Sequence, residues 1–315
     1  MKLPTVFCLM GPTASGKTFL AIALYRKFPF EIISVDSGMV YKEINIGTNK
    51  PSSRILSEYP HYLINILNPC EYYSVAKFYN DVFLCIKNIL RKDKIPLLVG
   101  GSMMYFNVLQ NGLYYSPECS DSIRIYVLYK AKKYGWNYLY EKLKSVDPLF
   151  ASKICSGDKK RIQRGLEVYY FTGKPLSYYL LKKSDVKFNF INLILYPENR
   201  FWLYERISVR FLKMLSKDLV GEVNKLIVKW KLSLSSPIMK LIGYKQVIEY
   251  LLGYYSYKNM CNKGIKSTCQ LAKKQLTWLR RWRRDGYFFC CDKSDIYTRI
   301  VNTVQDLLFK YHFLY

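Results

Sequence analysis

Eight consecutive residues, Gly11-Pro12-Thr13-Ala14-Ser15-Gly16-Lys17-Thr18, fit the pattern G-x-x-x-x-G-K-[ST]. Their chemistry is anion capture. The glycines let the backbone turn so that successive N–H groups point inward at a phosphate. Lys17 adds a point charge, and the Thr18 hydroxyl is the expected ligand for Mg²⁺. The loop indicates a diphosphate or polyphosphate without saying which reaction is performed on it. Asp36 is the second residue of chemical interest. It can ligate Mg²⁺ through water, act as general base toward an acceptor nucleophile, or cap the segment that follows. Its position at a strand end argues against the cap. Lys50 is a further candidate phosphate contact.

The elements that must hold these residues are legible as apolar runs. Val6 to Met10 reads as a buried strand and Phe19 to Leu24 as a helix, which places the loop between strand and helix as its chemistry requires. The opening of that helix adds a positive end to the phosphate site. Glu31 to Val35 is a second strand, ending at Asp36-Ser37. Ile95 to Val99 is a third, followed by Gly100-Gly101-Ser102 and a helix to about Gln110. Open α/β sheets bind ligands at the C-terminal ends of their strands, so the phosphate loop, Asp36 and Ser102 should share one cleft. Further helices are expected at Ser74–Arg91, Asn199–Ser216, Asp218–Trp230 and Ile238–Leu252, with strands at Phe190–Leu195 and Tyr287–Cys291. Gly264–Arg284 is the longest helical stretch, with a core stripe at Ile265, Cys269, Ala272, Leu276 and Leu279. Lys266, Lys273 and Arg280 repeat every seven residues on an adjacent face, which points to phosphate contact.

Composition bounds the class. The chain has 315 residues, half of them hydrophobic, and a formal net charge of +26 from 49 basic and 23 acidic residues. A polyanionic partner, nucleic acid first, is one source of that charge; an AT-rich coding bias toward Lys, Ile, Asn, Tyr and Phe is the other. No run reaches the roughly 18 apolar residues of a membrane span, and no signal peptide is recognisable. The expectation is a soluble, cytoplasmic monomer. Nine cysteines without a C-x-x-C pair, and two histidines, make a zinc site unexpected. From about Pro117 to Lys187 the pattern turns helical, polar and basic. The expected fold is therefore a parallel α/β core of the P-loop type, residues 1–116 and 188–315, carrying a helical insertion, residues 117–187.

Taken in order, these segments resemble the bacterial tRNA dimethylallyltransferase (isopentenyl-tRNA transferase) family. The resemblance runs through Gly11–Thr18, Asp36–Tyr41, Ile46–Pro51, Pro60–Ile64, Val99–Tyr105, Asp158–Glu167, Ile242–Gln246 and Gln270–Arg280. It implies transfer of a dimethylallyl group from dimethylallyl diphosphate to N6 of the adenosine just 3′ of the anticodon. The tRNAs concerned are those reading codons that begin with U. Gly11 to Thr18 would then hold the diphosphate, which is the leaving group, and at least one of Arg206 and Arg210 would lie near it. Asp36 would deprotonate the adenine amine, with Lys17, Thr18 and Ser102 as the other catalytic positions. The base must be turned out of the anticodon loop at a cost of about a few kcal/mol.

The resemblance further implies tRNA contacts at Asp36, Ser37, Gly38, Met39, Ser102 and Arg124. In the insertion it implies Lys160, Arg161, Ile162, Gln163 and Arg164. Near the returning strand it implies Lys240, Leu241, Ile242, Gly243, Tyr244 and Lys245. Along the long helix it implies Lys273, Lys274, Gln275, Leu276, Thr277, Trp278, Leu279 and Arg280. The departures are Ser102 where Thr is usual, Lys240 and Lys245 where Arg is common, and Cys269 where Arg is frequent; lysine cannot make a bidentate fork. Other readings are a P-loop nucleotide or nucleoside kinase, an enzyme prenylating free adenine nucleotides, and a non-catalytic RNA-binding protein. The basic insertion argues against small acceptors, and the intact Lys17, Thr18 and Asp36 against a non-catalytic role.

Overall fold

A computed structural model describes residues 3–181, 183–232 and 236–311. His312, one of the two histidines, lies outside them. The chain forms two compact units, residues 1–110 with 187–315, and residues 111–186.

The larger unit is built on six parallel strands: β1 (Thr5–Met10), β2 (Phe30–Val35), β3 (His61–Tyr62), β4 (Ile95–Gly100), β5 (Asn189–Tyr196) and β6 (Gly286–Cys290). Their order across the sheet is β3-β2-β4-β1-β5-β6. Strands apolar on both faces demand cover on both faces. In β1, Val6, Cys8 and Met10 enter one cluster with Phe78, Val82 and Ile86 of the helix Val75–Leu90. Phe7 and Leu9 enter the other, against Leu20 and Leu24 of the helix Lys17–Lys27 and Ile300 and Val304 of the helix Ile296–Lys310. The two-residue period of a strand alone makes this division.

Chain reversal of strand order puts the cleft beside β1. Met10 pairs with Gly100, and Gly100 pairs with Val35, so β1, β4 and β2 end level with one another. The strands approach so closely there that a Cβ on Gly100 would lie 2.0 Å from the Val35 carbonyl oxygen. A third apolar cluster, including Val40, Ile44, Phe211, Val223, Tyr244 and Met260, supports the segment after β2.

Two expected helices differ. Ile238–Leu252 is not one helix. A 3₁₀ turn, Pro237–Lys240, precedes Gly243, whose φ of 93° stops helical propagation before the helix Tyr244–Leu251. The long helix runs Tyr257–Leu279, seven residues earlier at its start than expected, because Ser256 caps it by accepting from the Asn259 amide. Ile265 and Cys269 are only half-buried; Met260, Gly264 and Gln275 are buried in their helix instead.

The smaller unit is helical. Asp121–Val146 bends at Gly135 (φ 82°) and packs Val127, Leu139 and Leu143 against Ile162 and Leu166 of Lys159–Thr172. Asp147, 1% exposed, ties its turns together: one carboxylate oxygen accepts from Phe150 N and the other from Ser177 N.

Candidate active site

The phosphate loop leaves β1 and turns through Ala14 (φ 64°) and Gly16 (φ 91°), both left-handed, into the helix Lys17–Lys27. Such turns aim neighbouring amides at one point. Lys17 Nζ folds over the loop and donates to the carbonyls of Gly11 (2.9 Å) and Pro12 (2.6 Å). Burial first and the Arg210 guanidinium second pull its pKa down to about 7, against the opposing effects of Asp36 and Cys291. Thr18 is the second residue of the helix and is half-buried.

Two arginines from the helix Arg200–Ser216 close the anion site, one turn apart. Arg206 Nε donates to the Ala14 carbonyl at 3.0 Å, and its guanidinium stacks over Trp202 at 4.7 Å. Arg210 donates to the Thr48 carbonyl at 3.4 Å; burial lowers its pKa, and Asp36 offsets part of that. Lys17, Arg206, Arg210 and a helix N-terminus thus meet at one loop, which is the electrostatics an anionic leaving group requires.

Asp36 caps after all. Its Oδ1 accepts from Gly38 N (2.7 Å) and Met39 N (3.2 Å), because the chain turns sharply where β2 ends and those amides need an acceptor. The cap and the base are compatible: Oδ1 fixes the carboxylate, and Oδ2 is the oxygen available to take a proton. Ser37 N donates to Ser102 Oγ at 3.3 Å, so the turns after β2 and β4 are joined. Lys50 Nζ donates to the Tyr41 carbonyl and Asn65 Oδ1, both at 2.6 Å, and burial lowers its pKa to about 8. It therefore braces the segment after β2.

The segments expected to contact RNA divide by exposure. Lys240, Lys245, Lys273, Lys274, Thr277 and Arg280 are exposed; Leu241, Ile242 and Trp278 are half-buried, and Trp278 carries Arg281 stacked at 4.0 Å. Gly243, Tyr244, Gln275, Leu276 and Leu279 are buried. They face the core because a helix or turn on the surface must bury one stripe. In the helical unit Lys160 and Arg161 are exposed and Ile162 is fully buried. Gln163 Nε2 donates to buried Glu167 at 2.7 Å, and the same carboxylate pairs with Arg164 (3.7 Å) and Arg124 (3.8 Å). Arg164 also donates to Ser116 Oγ and to Cys119 Sγ. These three residues hold the unit's own structure.

Three positioning roles escaped sequence reasoning, one of them at Gln275, which the resemblance had placed among the tRNA contacts. Gln275 reaches the phosphate loop. Glu167 gathers Arg124 and Arg164. Glu222 accepts from the amides of Asn45 (3.1 Å), Ile46 (2.8 Å) and Gly47 (3.3 Å) and from the Tyr244 hydroxyl (2.6 Å). In sequence Glu222 is only an acidic residue in the first turn of Leu219–Trp230, where the helix dipole is explanation enough.

Known proteins resemble this chain along nearly its whole length. The profile of the IPP transferase family matches residues 39–282. A tRNA dimethylallyltransferase from Legionella pneumophila (strain Corby) is 49% identical over 304 residues, spanning 96% of this chain and 97% of its own. One from Coxiella burnetii (strain RSA 493 / Nine Mile phase I) is 46% identical over 308 residues, spanning 97% and 99%. Among solved structures, the full-length tRNA isopentenylpyrophosphate transferase of Bacillus halodurans superposes with a TM-score of 0.71 at 28% identity, covering 98% of both chains. A eukaryotic dimethylallyltransferase acting on tRNA superposes at 0.81 with 26% identity, covering 98% of this chain and 80% of that one. A P-loop sheet with a basic anion site beside a capped carboxylate, and relatives nearly half identical end to end, make this chain a member of the IPP transferase family.

Proposed function

We propose that this chain is a tRNA dimethylallyltransferase. It moves the dimethylallyl group of dimethylallyl diphosphate to N6 of the adenosine 3′ of the anticodon, tRNA position 37, in tRNAs reading codons that begin with U. The observation that carries the proposal is a phosphate loop with Lys17 folded onto it and Arg206 bonded to Ala14, with Asp36 following β2 where the ends of β1, β2 and β4 lie level.

The C1–O bond of the donor breaks and its electron pair leaves with the diphosphate, where loop amides, Lys17 and the two arginines stabilise the charge. The adenine amine attacks C1 with a lone pair that is otherwise delocalised into the ring, so its proton must leave as the bond forms. Asp36 Oδ2 receives that proton. Mg²⁺ fits the donor set. Among the described residues no group of three or more His, Cys, Asp or Glu could hold a metal. The ion would rest on the Thr18 hydroxyl and on the donor's own oxygens, a coordination that suits Mg²⁺ and its retained waters. When bound, it would neutralise charge growing on the diphosphate.

The acceptor would be an anticodon stem-loop, held by the exposed cations Lys240, Lys245, Lys273 and Arg280 and, in the helical unit, Lys160 and Arg161. In this reading the enzyme works as a monomer in the cytoplasm. Among the described residues no helix is long and apolar enough to cross a membrane. The test is to incubate the protein with labelled dimethylallyl diphosphate, Mg²⁺ and unmodified tRNA, then identify the nucleosides by mass. N6-dimethylallyladenosine at position 37 supports the proposal. Transfer of a γ-phosphate to a nucleoside, with tRNA left unmodified, replaces it with a kinase.

A further inference from the structure

Gln275 stands on the helix Tyr257–Leu279 and is 8% exposed, between neighbours that face solvent, Lys273, Lys274 and Thr277. Its side-chain amide spans two functional turns. Oε1 accepts from Thr13 N of the phosphate loop at 2.9 Å. Nε2 donates to the carbonyl of Gly101, in the turn after β4, at 2.9 Å. Space for this strap is made by a glycine: a Cβ on Gly101 would lie 2.6 Å from Gln275 Nε2 and 3.3 Å from the Gly11 carbonyl oxygen. Both hydrogen-bonding ends of the amide are therefore used, in a fixed direction, on two loops that flank the anion site.

From this geometry we infer that Gln275 is a positioning residue for the donor's diphosphate, separate in function from the exposed cations of its own helix. The inference rests on the reading of the loop as a diphosphate site. A phosphate loop binds well when its amides already point inward, because ordering them at the moment of binding costs affinity. Gln275 takes the Thr13 amide permanently and holds the loop against β4. Ser15 N donates to the Pro12 carbonyl at 3.3 Å, and the amides of Ala14, Gly16, Lys17 and Thr18 are left to the ligand. One helix then serves two substrates: its outward face meets the polyanionic acceptor, and its single inward amide shapes the donor site.

The test separates those two faces. Inorganic diphosphate binding, donor and tRNA KM, and kcat are measured for the wild type, Gln275→Met and Lys273→Gln. Methionine keeps the length and loses both bonds, leaving a buried amide and a carbonyl unpaired. Gln275→Met is expected to raise the diphosphate Kd and the donor KM about tenfold, with tRNA KM unchanged and kcat reduced less than the donor KM rises. Lys273→Gln is expected to do the reverse, raising tRNA KM only. A folded Gln275→Met variant that binds diphosphate as the wild type does, or that loses tRNA affinity instead, overturns the assignment.

Backbone amide exchange in the wild type gives a second readout that needs no variant. Thr13 N–H is expected to be protected before diphosphate is added and to stay so. The amides of Ala14, Gly16, Lys17 and Thr18 gain protection only afterwards. Fast exchange at Thr13, or protection that arrives only with diphosphate, sinks the strap. Diphosphate binding can be measured even if no prenyl group is transferred, so failure of this inference and failure of the proposed reaction give different results.

Discussion

Asp36 carries two duties that divide its oxygens. Oδ1 is committed to the amides of Gly38 and Met39, and Oδ2 is left for chemistry. Asn keeps an acceptor for the cap and removes the base, which makes Asp36→Asn more informative than a truncation. Prenyl transfer in a single turnover is expected to fall about 10²–10⁴-fold, while tRNA affinity stays within about twofold. A variant that loses both has lost the turn, not the base. Lys17 gives a pH dependence. In this geometry burial holds its pKa at about 7; beside a diphosphate the value returns toward the ordinary range, so binding takes up a proton. The sign follows: affinity is full below pH 7 and is lost as pH rises through and beyond it. Diphosphate binding measured by calorimetry is expected to weaken about fiftyfold between pH 7 and pH 9, with an observed heat that depends on the buffer's ionisation heat because a proton is taken up. A flat profile would mean that Lys17 stays charged throughout.

At the scale of elements, the segment after β2 is the part of the site least able to hold itself. Residues 45–47 have no strand partner, and their amides converge on Glu222 from a helix some 175 residues away in sequence. Thr48, next in line, supplies the carbonyl that receives Arg210. Position therefore passes from Glu222 through the segment to a guanidinium at the anion site. Glu222→Ala leaves three amides and the Tyr244 hydroxyl without their acceptor and is expected to cost about 2 kcal/mol of stability, read as a lowered urea midpoint. Donor KM should rise more than tRNA KM, since Arg210 is the residue displaced. Equal rises in both would place the effect in general loosening of the unit. The break at Gly243 belongs to the same element. It follows the extended Leu241 that ends the 3₁₀ turn and starts the helix on which Tyr244 enters the core, where its hydroxyl meets Glu222. A helix continued through residues 241–243, as periodicity alone suggests, would turn that tyrosine away.

For the whole molecule, the formal charge of +26 had two origins to weigh, a polyanionic partner and a biased composition, and only placement distinguishes them. Lys273 and Arg280 are exposed on one helix of the larger unit, whereas Arg124 and Arg164 are tied to Glu167 within the smaller one. Replacing Lys273 and Arg280 together by Gln is expected to raise tRNA KM and to flatten the slope of log affinity against log salt by between one and two. Replacing Arg164 by Gln should instead lower the stability of the helical unit. An unchanged salt slope in the double variant would remove that helix from the interface. By itself, the amino-acid sequence determined the strand–loop–helix at Gly11–Thr18, five of the six strands, and the placement of Lys17, Asp36 and Ser102 after the C-terminal ends of β1, β2 and β4. Local signals suffice there, because a buried parallel strand must be apolar throughout and loops after such strands lie on one side. Only the tertiary structure decided which residues inside the basic segments look outward, that Asp36 caps its own turn, and that Gln275 holds the phosphate loop and Glu222 the segment after β2. Those facts depend on partners from 2 to more than 260 residues away, and a carboxylate or amide reads the same in sequence whether it meets water, RNA or a distant backbone N–H.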